Sequence, residues 1–247
     1  MNHQENSINE ACGLAPLLDI RGLSYRYPRR GPVLDQVDFQ LHAGERVALT
    51  GPNGAGKTTL LHLLVGLKKA KAGQIRAFGS ERSAESDFVE VRARAGFLFQ
   101  DPDDQLFCPT VLEDVAFGPL NQGKSRAEAL DCARQTLASL GLDGFEERIT
   151  HQLSGGEKRM VSLASVLAME PEVLLLDEPS NALDTQARQR LLDTLLSLPQ
   201  AMIIISHDDD FLAQLATRWL RLENAQLNPS EPVCERPLNG LAEKVPA

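Results

Sequence analysis

The amino-acid sequence predicts an α/β fold built on a mixed sheet, and two observations lead to this prediction. The short apolar strand Glu45–Thr50 runs directly into a glycine-rich loop and then into an apolar helix, Thr58–Leu67. Further along the chain, the apolar strands Val173–Asp177 and Ala201–Ser206 enclose a helix at Thr185–Leu198, which is the pattern of a βαβ unit. Units of this kind place their strands side by side in a parallel sheet with helices on its faces.

The elements before and between these units predict two subdomains. Leu17–Tyr27 and Val33–Leu41 have the pattern of strands joined by a turn rich in proline and glycine, so we expect an N-terminal antiparallel β subdomain. Residues 101–170 have apolar residues at helical spacing and predict an α-helical subdomain. Three capping boxes mark helix starts in that stretch, at Thr110, Ser125 and Ser154.

The composition excludes several classes of function. The chain has 247 residues and a formal net charge of −9, and it lacks the basic surface that nonspecific binding of nucleic acid requires, so we expect no nucleic-acid partner. No uncharged apolar run approaches the ~20 residues that span a bilayer, and the polar first residues show no secretory signal, so we expect a cytosolic chain. The cysteines and histidines lack the close spacing of a disulfide framework or of a protein-built transition-metal site.

These patterns divide the chain into three parts. Residues 1–16 are polar and predict a flexible arm, residues 17–227 form one domain, and residues 228–247 predict a flexible tail. The tail is interrupted by Pro229, Pro232, Pro237 and Pro246.

A phosphate-binding loop is the first feature that indicates chemistry. Gly51–Thr58 matches the pattern GxxxxGK[ST] between a strand and a helix, as that pattern requires; the alternative is a glycine-rich turn that binds nothing. Its glycines let successive backbone N–H groups face a phosphate chain, and the helix N-terminus adds partial positive charge. We expect Lys57 to bridge the β- and γ-phosphates of a nucleotide, Thr58 to coordinate Mg²⁺ and Thr59 to reach the α-phosphate. The predicted nucleotide contacts of the loop are Gly51, Pro52, Asn53, Gly54, Ala55, Gly56, Lys57, Thr58 and Thr59.

Two adjacent carboxylates end the strand Val173–Asp177. Because charge is costly to desolvate unless a cation compensates it, a buried strand has no structural reason to end in Asp177 and Glu178. Asp177 can hold Mg²⁺ through water, and Glu178 can orient and polarise an attacking water. The alternative is a strand that simply emerges into solvent at an acidic turn.

A second anion site is indicated at Leu153–Glu157, where a serine and two glycines open a helix. The same residues also satisfy a plain capping box, which is the alternative interpretation. Beside the phosphate loop, Leu153-Ser-Gly-Gly-Glu157 resembles the LSGGQ/E signature of ATP-binding cassette (ABC) ATPases, and the resemblance covers about residues 17–225. It implies nucleotide contacts by Ser154, Gly155, Gly156 and Glu157.

The other motifs of the ABC family follow in the family's order. The resemblance implies the P-loop NTPase ABC ATPase fold, with a mixed central sheet, the antiparallel β subdomain and the α-helical subdomain. By the same resemblance, Gln100 contacts Mg²⁺ and the catalytic water, and His207 holds the γ-phosphate and that water. Asp184 ends a loop that reaches across a dimer and contacts nucleotide. Tyr27 is similar to the aromatic residue that stacks on adenine, with Tyr25 as second choice.

The resemblance further implies a head-to-tail dimer. In the family, the signature serine and the phosphate loop of one subunit lie too far apart to share a nucleotide. Each of two ATP sites would therefore use Lys57 of one chain and Ser154 of the other, and we expect a homodimer. Closure on ATP and opening after hydrolysis would pass through the helical subdomain to a membrane partner.

The segment that follows Gln100 indicates a subgroup of the family. Phe99–Phe107 followed by Pro109–Asn121 resembles the ATPases of energy-coupling-factor (ECF) transporters, especially nickel and cobalt uptake systems. The resemblance implies that a membrane partner docks on a short helix containing Asp104, Gln105 and Leu106. The alternative is that these residues cap an ordinary surface helix.

The implied assembly is an importer with integral membrane subunits for coupling and for substrate binding, and with this chain as a peripheral subunit on the cytoplasmic face of the membrane. The chain lacks the long C-terminal helical extension of the vitamin-type shared modules, which favours a dedicated metal-ion system. An ECF importer for a vitamin such as biotin, or another ABC importer, is the alternative. A non-transport ABC ATPase with a coiled-coil insertion or two cassettes does not fit 247 residues.

Overall fold

A four-stranded antiparallel sheet opens the fold in this computed structural model, which describes residues 15–29 and 31–232. Its strands are β1 (Leu18–Arg26), β2 (Pro32–Leu41), β4 (Ala72–Ala77) and β5 (Ser80–Arg82). They lie in the order β2-β1-β4-β5. This sheet contains both strands that the sequence predicts for an antiparallel β subdomain.

The second sheet is mixed and has six strands. They are β3 (Arg46–Thr50), β6 (Ala95–Leu98), β7 (Val173–Asp177), β8 (Ala201–Ile205), β9 (Arg218–Glu223) and β10 (Gln226–Ser230). The order is β10-β9-β3-β8-β7-β6, and every neighbouring pair is parallel except β10 with β9. Every residue of β7 and β8 is buried, as expected for central parallel strands that are covered on both faces.

Seven α-helices and two short 3-10 helices complete the described part of the chain. Four of them follow strands of the two sheets: α1 (Lys57–Leu64), α2 (Asp87–Arg94), α6 (Thr185–Ser197) and α7 (Asp209–Leu215). The helical subdomain consists of α3 (Val111–Asn121), α4 (Arg126–Ser139) and α5 (Gly155–Leu167). All three predicted capping boxes form, so the helix starts inferred from the sequence are confirmed.

The core consists of two apolar clusters that involve opposite faces of the mixed sheet. Leu174 and Leu176 of β7 belong to the cluster that contains the helical subdomain, α6 and α7. Val173 and Leu175 of the same strand belong to the cluster formed with α1 and the antiparallel sheet. Because successive side chains of a strand point to opposite faces, one strand ties both subdomains to the sheet.

The C-terminal boundary differs from the prediction. β10 contradicts a flexible tail that begins at residue 228, because it pairs with β9 as far as Ser230 opposite Trp219. Pro229 is accommodated because β10 is an edge strand, where a missing N–H does not interrupt the sheet. The prediction of a flexible arm and of a flexible end to the tail falls mainly on residues outside the described ranges.

Several short elements lack a clear signal in the sequence. The structure contains five elements that the sequence did not predict, namely β4, β5, α2, α7 and β9. Helix α1 ends at Leu64 rather than at the predicted Leu67, since Gly66 has a φ of 75° and leaves the helical conformation.

Candidate nucleotide-binding site

The carboxyl ends of the parallel strands β3, β6, β7 and β8 border a cavity of about 630 Å³. Open parallel sheets bind ligands in the crevice at this edge, and the volume lies in the usual range for small-molecule sites. The predicted site residues that line the cavity are Tyr27, Asn53, Gly54, Gly56, Lys57, Thr58, Thr59, Gln100, Asp177, Glu178 and His207. Residues from five separate stretches of the sequence therefore meet at one place.

The phosphate loop has its shape because two of its positions tolerate only glycine. Gly51 has a φ of 137°, and a Cβ there would lie 2.2 Å from the carbonyl oxygen of Leu222 on β9. Gly56, with a φ of 114°, is the N-cap of α1, and a Cβ there would lie 2.9 Å from the carbonyl oxygen of Val33. The loop is thus pressed against both sheets, and the N-terminus of α1 faces the cavity as an anion-binding site.

Lys57 is the buried cation of the loop, with 7% of its surface exposed. Its Nζ donates to the carbonyl oxygens of Gly51, at 2.7 Å, and Pro52, at 3.2 Å. Burial lowers the pKa of Lys57, while the carboxylates of Glu178 and Asp177 act in the opposite direction. The ammonium group is therefore held at the cavity wall, where it can meet a phosphate oxygen.

Asp177 is a carboxylate with 2% of its surface exposed. Burial raises the pKa of Asp177; a hydrogen bond from the Thr58 side chain and the charges of His62 and Lys57 oppose that shift. A buried carboxylate beside a hydroxyl suits Mg²⁺, which takes one or two protein oxygens and completes its shell with water and phosphate oxygens. Among the described residues, no three His, Cys, Asp or Glu side chains cluster as metal ligands. The side-chain oxygens of Thr58, Asp177 and Gln100 line the cavity, and Mg²⁺ prefers oxygen ligands.

Glu178 and His207 are in contact with each other at the wall of the cavity. One carboxylate oxygen of Glu178 lies 3.3 Å from His207 Nε2, and the other accepts a hydrogen bond from the His207 backbone N–H at 3.2 Å. Glu178 has a φ of 49°, an uncommon conformation for a residue with a side chain, and its own N–H is bonded to the carbonyl oxygen of Ile205. The strand end is thereby shaped to present a carboxylate that can accept a proton from water.

Tyr27, rather than Tyr25, lies at the cavity. Its hydroxyl is 2.9 Å from Thr59 Oγ1, and its ring meets that of Tyr25 edge-on with centroids 5.1 Å apart. Tyr25 packs against the core cluster of the antiparallel sheet, which agrees with its place as second choice. The ring of Tyr27 also has Lys68 Nζ 5.3 Å from its centroid.

The signature residues do not join the cavity within one chain. Ser154 is exposed at the start of α5 and forms the capping box with Glu157, at 3.3 Å from Ser154 Oγ to the Glu157 N–H and 2.8 Å for the return bond. Asp184 caps α6 by accepting from the Ala187 N–H at 2.8 Å. The described chain therefore uses both motifs as helix caps, and their contact with a nucleotide stays a prediction.

Two of the three predicted docking residues point inward. Gln105 bonds to the backbone N–H of Phe99 and to two serines of α5, and Leu106 is buried in the core with 8% of its surface exposed. The side chain of Gln105 is thus bonded to α5 and that of Leu106 lies in the core, and a contact of either residue with a membrane partner stays a prediction. Asp104 is exposed, as predicted.

The exposed side chains of this region are ones that the sequence pattern did not single out. Phe107 is 65% exposed, and Phe117 on α3 is 42% exposed. Their rings meet at 90° with centroids 4.8 Å apart, which forms an apolar pair on the surface.

Asn181 lines the cavity and was also missed as a single residue, although it lies in the segment that ends at Asp184.

Comparison with known proteins gives a consistent result. The model of the ABC transporter family matches residues 34–181. A protein of Brucella suis named as an ABC transporter ATP-binding protein is 54% identical over 88% of this chain and 90% of its own length. The energy-coupling factor transporter ATP-binding protein EcfA of Methanothermobacter thermautotrophicus is 41% identical over 85% of this chain and 69% of its own length.

A solved structure shares the same fold. CbiO1 of Clostridium perfringens, part of the ABC transporter complex CbiONQ, matches with a TM-score of 0.76 and 30% identity, over 86% of this chain and 87% of that one. In the part of the chain that the structure describes, no helix combines the length and the apolar character needed to cross a bilayer.

Proposed function

The chain belongs to the ABC transporter family of ATP-binding proteins, and on that premise we propose that it is the ATP-hydrolysing subunit of an energy-coupling-factor importer for nickel or cobalt ions. ATP hydrolysis coupled to transport is the activity of the family. The observation that carries the proposal for this chain is the cavity in which Lys57, Asp177 and Glu178 meet at the carboxyl ends of the sheet.

The cavity residues divide the work of hydrolysis. The N–H groups of the phosphate loop and Lys57 bind the phosphate chain. Tyr27 stacks on the adenine of the nucleotide. Thr58, Asp177 and Gln100 would hold the Mg²⁺ that accompanies ATP, and this ion would neutralise part of the phosphate charge. Glu178 orients the attacking water and accepts its proton, and the contact with His207 keeps that carboxylate at the cavity wall.

The second half of the site comes from another copy of the chain. Ser154 is exposed at the N-terminus of α5 and does not line the cavity, which supports a role toward a nucleotide that a different subunit holds. We therefore propose a head-to-tail homodimer with two ATP molecules between its subunits. Since ATP is then shared by both chains, hydrolysis releases the contact between them.

The surface around Asp104, Phe107 and Phe117 is proposed to receive a membrane subunit. Paired exposed aromatic rings with an adjacent carboxylate suit an apolar partner helix with a basic end. The relationship to EcfA and CbiO1 supports the ECF type of importer, and it would place the chain on the cytoplasmic face of the membrane as a peripheral subunit.

The assignment is tested by isolating the membrane complex and measuring uptake. The tagged chain is purified from membranes of its source organism, the integral proteins that accompany it are identified, and the complex is reconstituted in vesicles. ATP-dependent uptake of labelled nickel or cobalt is the expected result. Uptake of labelled biotin without either metal would replace the metal-ion assignment by a vitamin importer, and a complex with no ECF-type membrane subunit would contradict both.

The docking surface is tested with matched substitutions. Phe107→Ser and Phe117→Ser should each reduce recovery of the membrane subunits, whereas Val89→Ser, at a residue of α2 that is 62% exposed, should not. Equal recovery with all three variants would contradict the docking surface. ATP affinity of the isolated variants serves as the measure of folding.

A further inference from the structure

Arg159 is a buried arginine beside the candidate site that has no role in nucleotide binding so far. It lies in the second turn of α5, has 2% of its surface exposed and is among the largest fully buried side chains of the described residues. Its guanidinium donates to two backbone carbonyls, that of Phe99 at 2.7 Å and that of Gln100 at 2.6 Å. Both hydrogen bonds of this cation therefore end on the backbone that carries Gln100.

Burial of the Arg159 charge has a cost to the stability of the fold. Burial lowers the pKa of Arg159, which means that the protein around it disfavours its charge, although Asp101 and Asp177 act in the opposite direction. Even a buried ion pair can often be replaced by apolar side chains of similar volume without loss of stability, so a buried charge is weak evidence for a purely stabilising role. The clearest consequence of the guanidinium is geometric, because it holds the irregular backbone of Phe99 and Gln100 between β6 and the 3-10 helix Pro102–Asp104.

A second side chain connects the same segment to the same helix. Gln105 Oε1 accepts from the Phe99 N–H at 3.2 Å. The Nε2 of Gln105 donates to the carbonyl oxygen of Ser162 at 2.8 Å and to Ser165 Oγ at 2.9 Å, both on α5. Arg159 and Gln105 together thus bind the backbone of residues 99–105 to α5 at three successive turns of the helix.

Helix α5 is also the element that presents Ser154, its N-cap residue. We propose that Arg159 is a positioning residue that makes Gln100 move with α5, so that the glutamine reaches the nucleotide of its own chain when Ser154 engages the nucleotide of the partner. The side chain of Gln100 is exposed and lines the cavity, while its backbone is held from behind by the guanidinium. Assembly of one ATP site is in this way linked to completion of the other.

The proposal rests on the proposed roles of Gln100 and Ser154, and the test therefore has one arm that does not depend on them. In that arm, backbone amide exchange is compared between the unaltered full chain, Arg159→Met and the control Arg134→Met. Arg134 is an exposed residue of α4 that pairs with Asp131 at 3.1 Å. Arg159→Met should speed exchange in residues 99–105 by about tenfold, because local opening loses two hydrogen bonds, and it should leave β7 unchanged. The control should change neither segment.

The second arm measures steady-state ATP hydrolysis by the same chains. Arg159→Met should lower kcat by about tenfold while KM stays within about twofold, since the loss concerns placement of a group for the transition state rather than binding. Combined with Gln100→Ala, it should cause no further loss, because a misplaced side chain and an absent one are equivalent. A merely structural role would instead give losses that multiply.

The two arms test the tether and its link to Gln100 separately. Unchanged exchange in residues 99–105 overturns the tether, and additive losses in the double variant overturn the link to Gln100. If Gln100→Ala alone retains full kcat, the proposed role of Gln100 is wrong, while the exchange arm still decides the tether. Should Arg159→Met fail to fold, Gln105→Met is used instead, because it removes the uncharged hydrogen bonds that join the same segment to α5. It should give the same changes in amide exchange and in kcat, and their absence overturns the proposal.

Discussion

The two halves of the proposed ATP site differ in how much of their geometry one chain already contains. On the phosphate-loop side, Lys57 and Asp177 are 7% and 2% exposed, and their positions follow from the ends of β3 and β7. On the α5 side, Ser154 is exposed, and its hydrogen bonds stay within its own capping box. One half is built into the core, and the other is displayed on the surface.

This difference predicts a division of labour. A half-site that is buried and pre-positioned can bind nucleotide in a single chain, because little has to be ordered on binding. A serine at an exposed helix N-terminus can act only on a ligand that approaches from outside. Changes on the first side should therefore alter the chain by itself, and changes on the second should become visible only when two chains meet.

Removal of the Glu178 carboxylate should have the strongest effect. Glu178→Gln keeps the shape of the side chain and its contact with the His207 N–H but cannot take a proton, so kcat should fall by roughly 10²- to 10⁴-fold. ATP affinity should be retained, and a closed dimer should accumulate with ATP, as measured by single-turnover hydrolysis and light scattering. Glu147→Gln, on an exposed residue, is the control for loss of one charge. Rapid turnover by Glu178→Gln would contradict its role.

Loss of the buried ammonium group should affect binding. Lys57→Met removes a charge-assisted contact to phosphate worth about 1.5–3 kcal/mol, so ATP affinity should fall by about 10- to 100-fold. Calorimetric titration of the isolated chain measures this directly. Lys124→Met, in the turn between α3 and α4, should bind ATP like the unaltered chain. Equal affinities for the two variants would disprove the assignment of the phosphate loop.

Charge placed at Ser154 should act only between chains. Ser154→Asp keeps a good helix cap but puts a negative charge where a partner's phosphate would approach, so kcat should fall by about tenfold or more. ATP affinity of the single chain should stay the same. Ser125→Asp changes the matching capping box of α4, away from the cavity, and is the control for stability. If both variants hydrolyse ATP equally well, α5 does not face a second nucleotide.

The mildest effect is expected at an ion pair that supports the pre-positioned half. Arg188 on α6 pairs with Asp208, at 2.8 Å between Nη2 and Oδ1, directly after His207. Asp208→Asn keeps the cap of α7 but loses the pair, which should cost about 0.5–1 kcal/mol at neutral pH.

The pH dependence of that loss identifies its cause. Arg188 lowers the pKa of folded Asp208 below its usual 3.8, so the stabilisation is complete above that value and disappears as the pH falls through the lowered pKa. The free energies of unfolding of the unaltered chain and of Asp208→Asn, measured with urea, should differ at neutral pH and converge only in acid below the lowered pKa of Asp208. A difference that persisted in acid would indicate packing rather than charge.

Much of the site could be predicted from the sequence because its motifs are local. Gly51–Thr58 needs only its own residues to form a phosphate loop, and Asp177 and Glu178 follow a strand of unmistakable apolar character. The capping boxes at Thr110, Ser125 and Ser154 are likewise local, and all three form. Elements such as β10 could not be predicted, since Gln226–Ser230 is held by backbone pairing with β9 and has little apolar pattern.

The inward turn of Gln105 and Leu106 shows where local patterns end. The same acidic and apolar residues are compatible with an exposed docking helix and with a loop bound to α5. Which of the two forms depends on hydrogen bonds to Ser162 and Ser165, which lie more than one helix away in the chain. The two hydrogen bonds of Arg159 to the backbone at Phe99 and Gln100 likewise join residues that no sequence spacing connects. Phosphate binding and hydrolysis are encoded in contiguous motifs because phosphate is recognised by adjacent backbone groups. Which side chains face a partner, and which hold the site together, depends on packing between distant segments, because burial is a property of the folded chain.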